Sequence, residues 1–357
     1  MKQFWRIWFI LVLTALTGCV KAQLDPVPER EITFTVGHYA SADTKAASLE
    51  SYSINSFSSK GFLHAEGYEG TTQDFFGTDG ETITWNNTDE IWSPSHPYYW
   101  PKGASSYINF VSWYDKNGNP TSVTEDNISW TFDGSSRTLA ADDDIMVAKK
   151  AWNQKMNVQN YYTPGVPTLF KHLLAQIEFK VKAAVASETV GSVTTTWAIN
   201  VTGFTLTGVY STGSLSLTNS IEPEVEEGEP CISDWTGSWT TSGDPTSING
   251  QNVNGIGASA QSVIARRSVI PQAISGKSVS FNYTIVTTTK NNDTEETHVL
   301  EETMSSGSLS LADFTYSEDW EANKIITYTI SISAKTGAIT MTPSVQDIDS
   351  SLLLNIE

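Results

Sequence analysis

Short runs in which apolar and polar residues alternate are the feature that most limits how this chain can fold. A period of two places every second side chain on one face of an extended strand. The sequence shows it at 31–36, 177–181, 204–206, 281–285 and 326–332. Long segments of helical period are missing, and turn-forming residues such as those at 117–120 and 242–245 lie between the runs. The pattern predicts an all-β protein of sandwich type.

The first residues have the layout of an export signal. Lys2 and Arg6 precede a short apolar stretch, and Leu16-Thr17-Gly18-Cys19 follows it. This tetrapeptide resembles the lipobox that bacterial lipoprotein signal peptidase reads. We therefore predict that residues 1–18 are removed as a signal peptide and that Cys19 carries a lipid. An ordinary signal peptide with an incidental cysteine is the alternative.

Residues 19–30 are polar and contain two prolines, which predicts a short lipidated tether before the first strand. The only other cysteine is Cys231. Because a lipidated Cys19 cannot form a disulfide, the fold has to hold without one, which a chain of this length permits.

The charge of the chain is strongly acidic. The full sequence has 21 Lys+Arg against 40 Asp+Glu and a formal net charge of −19; removal of Lys2 and Arg6 with the signal peptide leaves 19 against 40, or −21. Such a chain repels the phosphate backbone of nucleic acids, so nucleic-acid binding is excluded as a function.

A division into two domains is expected from the composition along the chain. Small and polar residues at 182–196 separate two regions rich in predicted strands. We predict an N-terminal β-sandwich domain at 31–188 and a C-terminal one at 189–357.

Residue patterns for catalysis or metal binding do not stand out. The five histidines, at positions 38, 64, 96, 172 and 298, are scattered and form no His-Glu-x-x-His pair, and no Gly-x-Ser-x-Gly elbow is present. Asp142-Asp143-Asp144 favours a solvated loop over a calcium site, because consecutive side chains of an extended segment point to opposite sides. We predict a protein that is not an enzyme and has no metal or cofactor.

Aromatic residues are dense between positions 85 and 130. Large rings of this kind fill sandwich cores, and they also stack on sugar rings at glycan-binding surfaces. The core interpretation is favoured, and a surface glycan-binding lipoprotein is the alternative function. The residues concerned are Trp85, Trp92, Tyr98, Tyr99, Trp100, Trp113 and Trp130.

Several motifs, in this order, resemble the fimbrillin family of Bacteroidales. After the lipobox and an early strand come Thr44-Lys45-Ala46, the segment at 92–101 (WSPSHPYYWP), the segment at 144–148 (DIMVA) and the segment at 170–181 (FKHLLAQIEFKV). Trp320 with the run at 328–332 resembles the last strand region of that family. Each motif is loose alone, but their order and spacing cover nearly the whole mature chain.

The resemblance implies a fold of two tandem transthyretin-like β-sandwiches. It implies a stalk, tip or anchor subunit of a type V pilus that serves in cell adhesion. The resemblance also implies that its partners are other pilin subunits. The lipid would anchor the precursor in the outer membrane, and the subunit would finally be part of a fimbrium on the cell surface.

In that family a surface protease cuts after a basic residue that follows the first strand. A strand of the next subunit then fills the groove by donor-strand exchange. Ile32, Phe34 and Val36 form the apolar face of the strand to be removed here, and Lys45 is the candidate cleavage site. The protease of the family prefers arginine. Arg30 is the arginine nearest the strand, but it precedes the strand, so a cut there would leave the groove filled.

The C-terminal tail is the candidate donor strand. It carries Leu352, Leu353, Leu354 and Ile356. A last strand of the chain's own sheet, or a frayed terminus, is the equally weighted alternative.

Overall fold

The computed structural model describes residues 31–38, 54–67, 70, 72–103, 105–156, 165–225, 230–314 and 319–348. Within them the regular structure is almost entirely strand, so the predicted all-β class is confirmed. The strands are β1 (Phe34–His38), β2 (Ser56–His64), β3 (Thr72–Asp74), β4 (Glu81–Asn86), β5 (Ile91–Pro94), β6 (Tyr107–Asp115), β7 (Ser122–Val123), β8 (Asn127–Phe132), β9 (Ile145–Ala148), β10 (Lys150–Gln154), β11 (Val166–His172), β12 (Ala175–Ala183) and β13 (Ser187–Val190).

The remaining strands are β14 (Val193–Val209), β15 (Thr212–Thr218), β16 (Ile232–Ser233), β17 (Trp239–Ser242), β18 (Thr246–Asn249), β19 (Val253–Ile256), β20 (Gln261–Val269), β21 (Ser278–Asn291), β22 (Thr297–Ser305), β23 (Leu309–Ser310), β24 (Lys324–Ile332) and β25 (Ile339–Asp347). A 3₁₀ helix at Leu311–Asp313 precedes β24. No helix in the described ranges is long and apolar enough to cross a membrane.

A closed circuit of seven strands dominates the N-terminal part. The largest sheet runs β16-β10-β6-β9-β11-β1-β5-β4-β2-β3, and β6 also pairs with β2. The strands from β6 through β9, β11, β1, β5 and β4 to β2 therefore return to their start. Closure pairs the edges of strands that would otherwise be exposed. Inside lies the circuit core, whose buried residues are Ile32, Phe34, Val36, Ile54, Phe57, Phe76, Ile83, Trp92, Ile108, Phe110, Met146, Ala148, Ala151, Val166 and Phe170.

A small sheet of order β17-β15-β8-β7 forms a second core with the circuit strands. Alternate residues of β6 and β9, such as Val111, Trp113 and Val147, pack in it with Trp130 and Phe132 of β8. Both faces of β6 and β9 are therefore buried, and Ile145–Ala148 reads as four consecutive buried residues.

Two further sheets enclose the third core. One runs β20-β12-β24-β25, and the other contains β13-β14-β21-β22. β12 and β24 pair in parallel, with Ile177 opposite Ile326 and Phe179 opposite Tyr328. The Phe179 and Tyr328 rings stack with centroids 4.6 Å apart. Because both sheets contribute to one core, this part is a β-sandwich.

Strand pairing does not follow the order of the chain. β12 pairs with β20 and β24, although it precedes the predicted boundary at 188/189. β15 and β16 follow that boundary, yet they pair with β8 and β10. The two domains at 31–188 and 189–357, and the count of two tandem sandwiches, stay predictions.

Candidate functional site

The candidate functional site is the position of β1 in the circuit, between β11 and β5, which we call the seat of β1. β1 lies parallel to β11, with Phe34 opposite Val166 and His38 opposite Phe170. The Val166 amide donates to the Thr33 carbonyl at 2.8 Å, which continues this pairing before β1 begins. Most of the backbone pairing that holds β1 is therefore on its β11 side.

The other edge of β1 is held by few contacts. Among the described residues, Phe34 opposite Trp92 is the single registered pair of β1 with β5. Upstream of β1, the Ile32 amide donates to the Tyr98 carbonyl at 2.7 Å, and Glu31 forms a bridge with Tyr99. The predicted strand at 31–36 accordingly begins three residues later, at Phe34, because residues 31 and 32 pair with the segment after β5.

The apolar face of β1 points into the circuit core. Ile32, Phe34 and Val36 are 1%, 4% and 3% exposed. The Phe34 ring lies edge-on to Phe57 and Phe110, with centroids 5.7 Å and 5.5 Å away. Burial of each such side chain contributes about 1.5–3 kcal/mol. Removal of β1 would therefore expose a substantial apolar groove.

Two glycines allow β1 and β11 to approach closely. A Cβ atom at Gly37 would lie 2.7 Å from Leu169 Cδ2. One at Gly165 would lie 2.8 Å from Thr35 Oγ1 and 3.0 Å from the Phe34 carbonyl carbon. The contact at Gly37 is with the end of a leucine side chain that can rotate, whereas the contact at Gly165 is partly with the backbone of β1, so a side chain at Gly165 would push the two strands apart.

A small polar cluster lies beside β5. Glu81 accepts hydrogen bonds from the Tyr98 hydroxyl at 3.0 Å and contacts His96 Nδ1 at 3.2 Å. Burial, and then the hydrogen bond to Glu81, raise the pKa of Tyr98. The raised pKa therefore extends the protonated, hydrogen-bond-donating form of the Tyr98 hydroxyl further into the alkaline range.

The other predicted processing and assembly residues lie outside the described residues. These are the lipidation site Cys19, the candidate cleavage sites Arg30 and Lys45, and the candidate donor residues Leu352, Leu353, Leu354 and Ile356. Their roles stay predictions.

The residues considered for metal binding have separate partners. Asp142 pairs with Lys116 at 2.8 Å, Asp143 accepts from Asn117 at 2.6 Å, and Asp144 contacts His172 Nδ1 at 2.6 Å. Asp143 is only 2% exposed, so the predicted solvated loop is wrong for this residue. Within the described ranges no three His, Cys, Asp or Glu residues are grouped as a metal site.

The aromatic residues between 85 and 130 contribute mainly to cores. Trp92, Trp113 and Trp130 are buried, and Tyr99 is the most exposed of the set at 41%. The rings in the circuit core contact one another, as between Trp92 and Phe57 at 5.4 Å. Most of their surface is therefore used inside the protein, and little of it is open to a sugar.

Sequence reasoning missed two buried lysines. Lys150 donates to Asp126 at 2.8 Å and to the Asn219 carbonyl at 3.0 Å. Lys277 is 2% exposed, and burial lowers its pKa to about 8. A signal for Lys277 was available, since it lies in phase with the alternating buried residues of β21 that begin at Val279.

Comparison with known proteins gives a family and a fold. A family model described as fimbrillin-like matches residues 62–347. No curated protein matches the chain. A fimbrial protein from Bacteroides vulgatus has a similar solved structure, with a TM-score of 0.57 at 16% identity over 89% of this chain and 99% of that one. At this identity the likeness shows the fold alone.

Two further solved structures cover the chain to the same extent with lower scores. A candidate cell adhesion protein from Bacteroides uniformis has a TM-score of 0.45 at 14% identity over 89% of this chain and 98% of its own. The fimbrial anchor protein Mfa2 from Porphyromonas gingivalis has a TM-score of 0.32 at 8% identity over the same shares.

Proposed function

This chain belongs to the fimbrillin-like family, and we propose that it is a pilus subunit that exchanges its first strand for a strand of the next subunit. The precursor is anchored in the outer membrane through a lipid on Cys19. Cleavage after Lys45 frees it and releases β1. The assembled fimbrium serves in adhesion at the cell surface.

The observation that carries this proposal is the asymmetric seat of β1. Its backbone pairs along β11, whereas one registered residue pairs with β5. Its side chains fill the circuit core like those of an internal strand. A strand held this way can leave without breaking the other pairings of the circuit, and its loss opens one gap between β11 and β5.

The gap would need to be filled. It would expose the backbone groups of β11 and an apolar groove, which is the hazard of an open sheet edge. An extended segment that restores both the hydrogen bonds and the apolar contacts binds such a groove by strand addition.

The C-terminal tail has the required spacing. Ile32, Phe34 and Val36 occupy alternate positions, and so do Leu352, Leu354 and Ile356. Three apolar side chains on one face of the tail can therefore replace three on β1. Leu353 would lie on the opposite face of the same strand.

This face assignment gives a matched pair of variants. Leu354→Asp places a charge in the groove and should abolish multimers on the producing cells, whereas Leu353→Asp carries the same charge on the outer face and should leave them. Lys45→Ala should hold the protein as an uncut monomer. The measurement is the ladder of multimers in surface fractions separated without boiling.

Two results would contradict the proposal. One is an equal loss of multimers from Leu353→Asp and Leu354→Asp. The other is normal multimers from Lys45→Ala without any shortening of the chain.

A further inference from the structure

A cavity of about 420 Å³ is lined by residues that do not belong to the circuit core. It forms where β9, β11 and β15 meet the segment before β17, the segment after β20 and the segment before β24. Its volume is in the range of pockets that hold small ligands.

Fixed tryptophans line this cavity. The ring N–H of Trp235 donates to the Ala148 carbonyl and that of Trp239 to the Leu173 carbonyl, both at 2.8 Å. Trp320 donates to the Tyr328 hydroxyl at 2.9 Å. Trp235 and Trp239 are half-buried, and each uses its one indole donor within the protein, so these two rings offer the cavity apolar surface in a fixed orientation. Trp320 is 1% exposed and packs behind them without offering ring surface.

The wall beside Trp320 is also rigid. Gln272 and Trp320 exchange backbone hydrogen bonds of 2.9 Å and 3.0 Å. The Gln272 side-chain amide accepts from the Tyr210 amide at 2.9 Å and donates to the Tyr210 and Ile270 carbonyls. A ligand entering here meets a preformed site, which lowers the entropic cost of binding.

Charged groups of both signs surround the rings. Lys149 and Lys171 lie on the side of β9 and β11, and Asp234 pairs with Lys149 at 3.4 Å. Asp319 and Glu321 come from the segment before β24. The cavity thus offers ammonium donors, carboxylate acceptors and aromatic faces together.

We propose that this cavity binds a neutral saccharide. One face of a pyranose ring is a surface of C–H groups that stacks on an aromatic ring, while its hydroxyls both donate and accept hydrogen bonds. Carboxylates and lysines on the same rim satisfy both roles. An anionic ligand would meet three carboxylates on a chain of net charge −19, and a cationic ligand would meet two lysines.

The test does not depend on assembly, because the uncut monomer already has the cavity. The monomer is applied to a printed array that holds neutral, sialylated and sulfated oligosaccharides, and the strongest neutral binder is titrated by calorimetry. The expected result is binding of neutral oligosaccharides in preference to the charged ones.

Variants distinguish this site from the aromatic residues near β5. Glu321→Gln and Lys171→Gln change exposed rim side chains and should weaken binding by about tenfold or more, while the thermal unfolding midpoint stays the same. Tyr99→Ala removes the most exposed ring of the other set and should leave binding unchanged.

Three outcomes would overturn the proposal. They are an array on which no neutral saccharide binds, an array on which only sialylated or sulfated probes bind, and neutral binding that the rim variants leave unchanged, with or without a loss from Tyr99→Ala.

Discussion

The Phe34 ring stands edge-on to the Phe110 ring, with 5.5 Å between their centroids and 80° between their planes. This contact joins β1 to β6 through the circuit core, so β1 contributes to the stability of the uncut chain. Phe34→Ala should lower the free energy of unfolding of the uncut chain by about 3–5 kcal/mol, because the cavity left behind fills poorly.

The control for Phe34→Ala is Thr35→Ala, whose side chain is on the other face of β1. It should change stability by less than about 1 kcal/mol. Urea unfolding of both variants measures the difference. Equal and small effects would mean that β1 adds little to the core.

A buried ion pair ties β6 to the segment after β8. The two terminal guanidinium nitrogens of Arg137, Nη1 and Nη2, donate to Asp115 at 2.5 Å and 2.6 Å, and the Asp115 side chain is 1% exposed. Arg137→Met should cost about 3–5 kcal/mol, because it leaves a buried carboxylate without its cation. Thermal or urea unfolding measures this loss of unfolding free energy.

Lys116 supplies the matched control for Arg137. It is the neighbour of Asp115 in the chain, and its pair with Asp142 is exposed. Lys116→Met should therefore leave the unfolding transition nearly unchanged. If the two variants behaved alike, the buried pair would have no special role.

Gly208 and Gly255 separate two costs of replacing glycine. Both have positive φ, +83° and +68°, but a Cβ at Gly208 would overlap the Gly276 carbonyl oxygen, and one at Gly255 meets no atom within 4 Å. Gly255→Ala should cost about 1–2 kcal/mol from backbone strain alone. Gly208→Ala should lower the free energy of unfolding by clearly more, because it adds the overlap with the Gly276 carbonyl oxygen. Denaturant unfolding of both variants measures the two losses. A larger loss for Gly255→Ala than for Gly208→Ala would contradict this assignment.

Lys277 should make stability depend on alkaline pH. Burial lowers its pKa from 10.5 to about 8 in the folded chain. Between about pH 8 and 10.5 the unfolded chain therefore binds more protons at this residue, so its contribution to the free energy of unfolding rises with pH in that window.

The measurement compares wild type with Lys277→Met across this window. Wild type should gain on the order of 3 kcal/mol relative to the variant between about pH 8 and 10.5. The difference cancels the titration of tyrosines and other lysines common to both chains. A gap that does not change with pH would show that the amine of Lys277 is solvated in the folded protein.

The strands were predictable from the sequence where burial alternates. Ile177, Phe179 and Val181 of β12 and the 326–332 run of β24 are buried at every second position, as the pattern requires. What the sequence could not supply is that these two strands pair in parallel, because the choice between distant partners depends on packing in the whole core.

The same limit applied to the sites. The apolar face of the first strand could be predicted from Ile32, Phe34 and Val36, because three alternate apolar residues define one face. The saccharide cavity could not be predicted, because the segment that carries Trp235 and Trp239 is brought together with Lys171 and Glu321 only by the fold. A local sequence pattern shows which face of a strand is buried. It does not show which distant segments that face will contact.

The exchange of the first strand is tested most directly by N-terminal sequencing of the subunit in fibres purified from the cell surface. A start at Ala46 is the expected result, because it means that β1 is absent from the assembled subunit. A lipid-blocked Cys19 or a start at Glu31 would mean that polymerised subunits keep β1, and strand exchange at this seat would be contradicted.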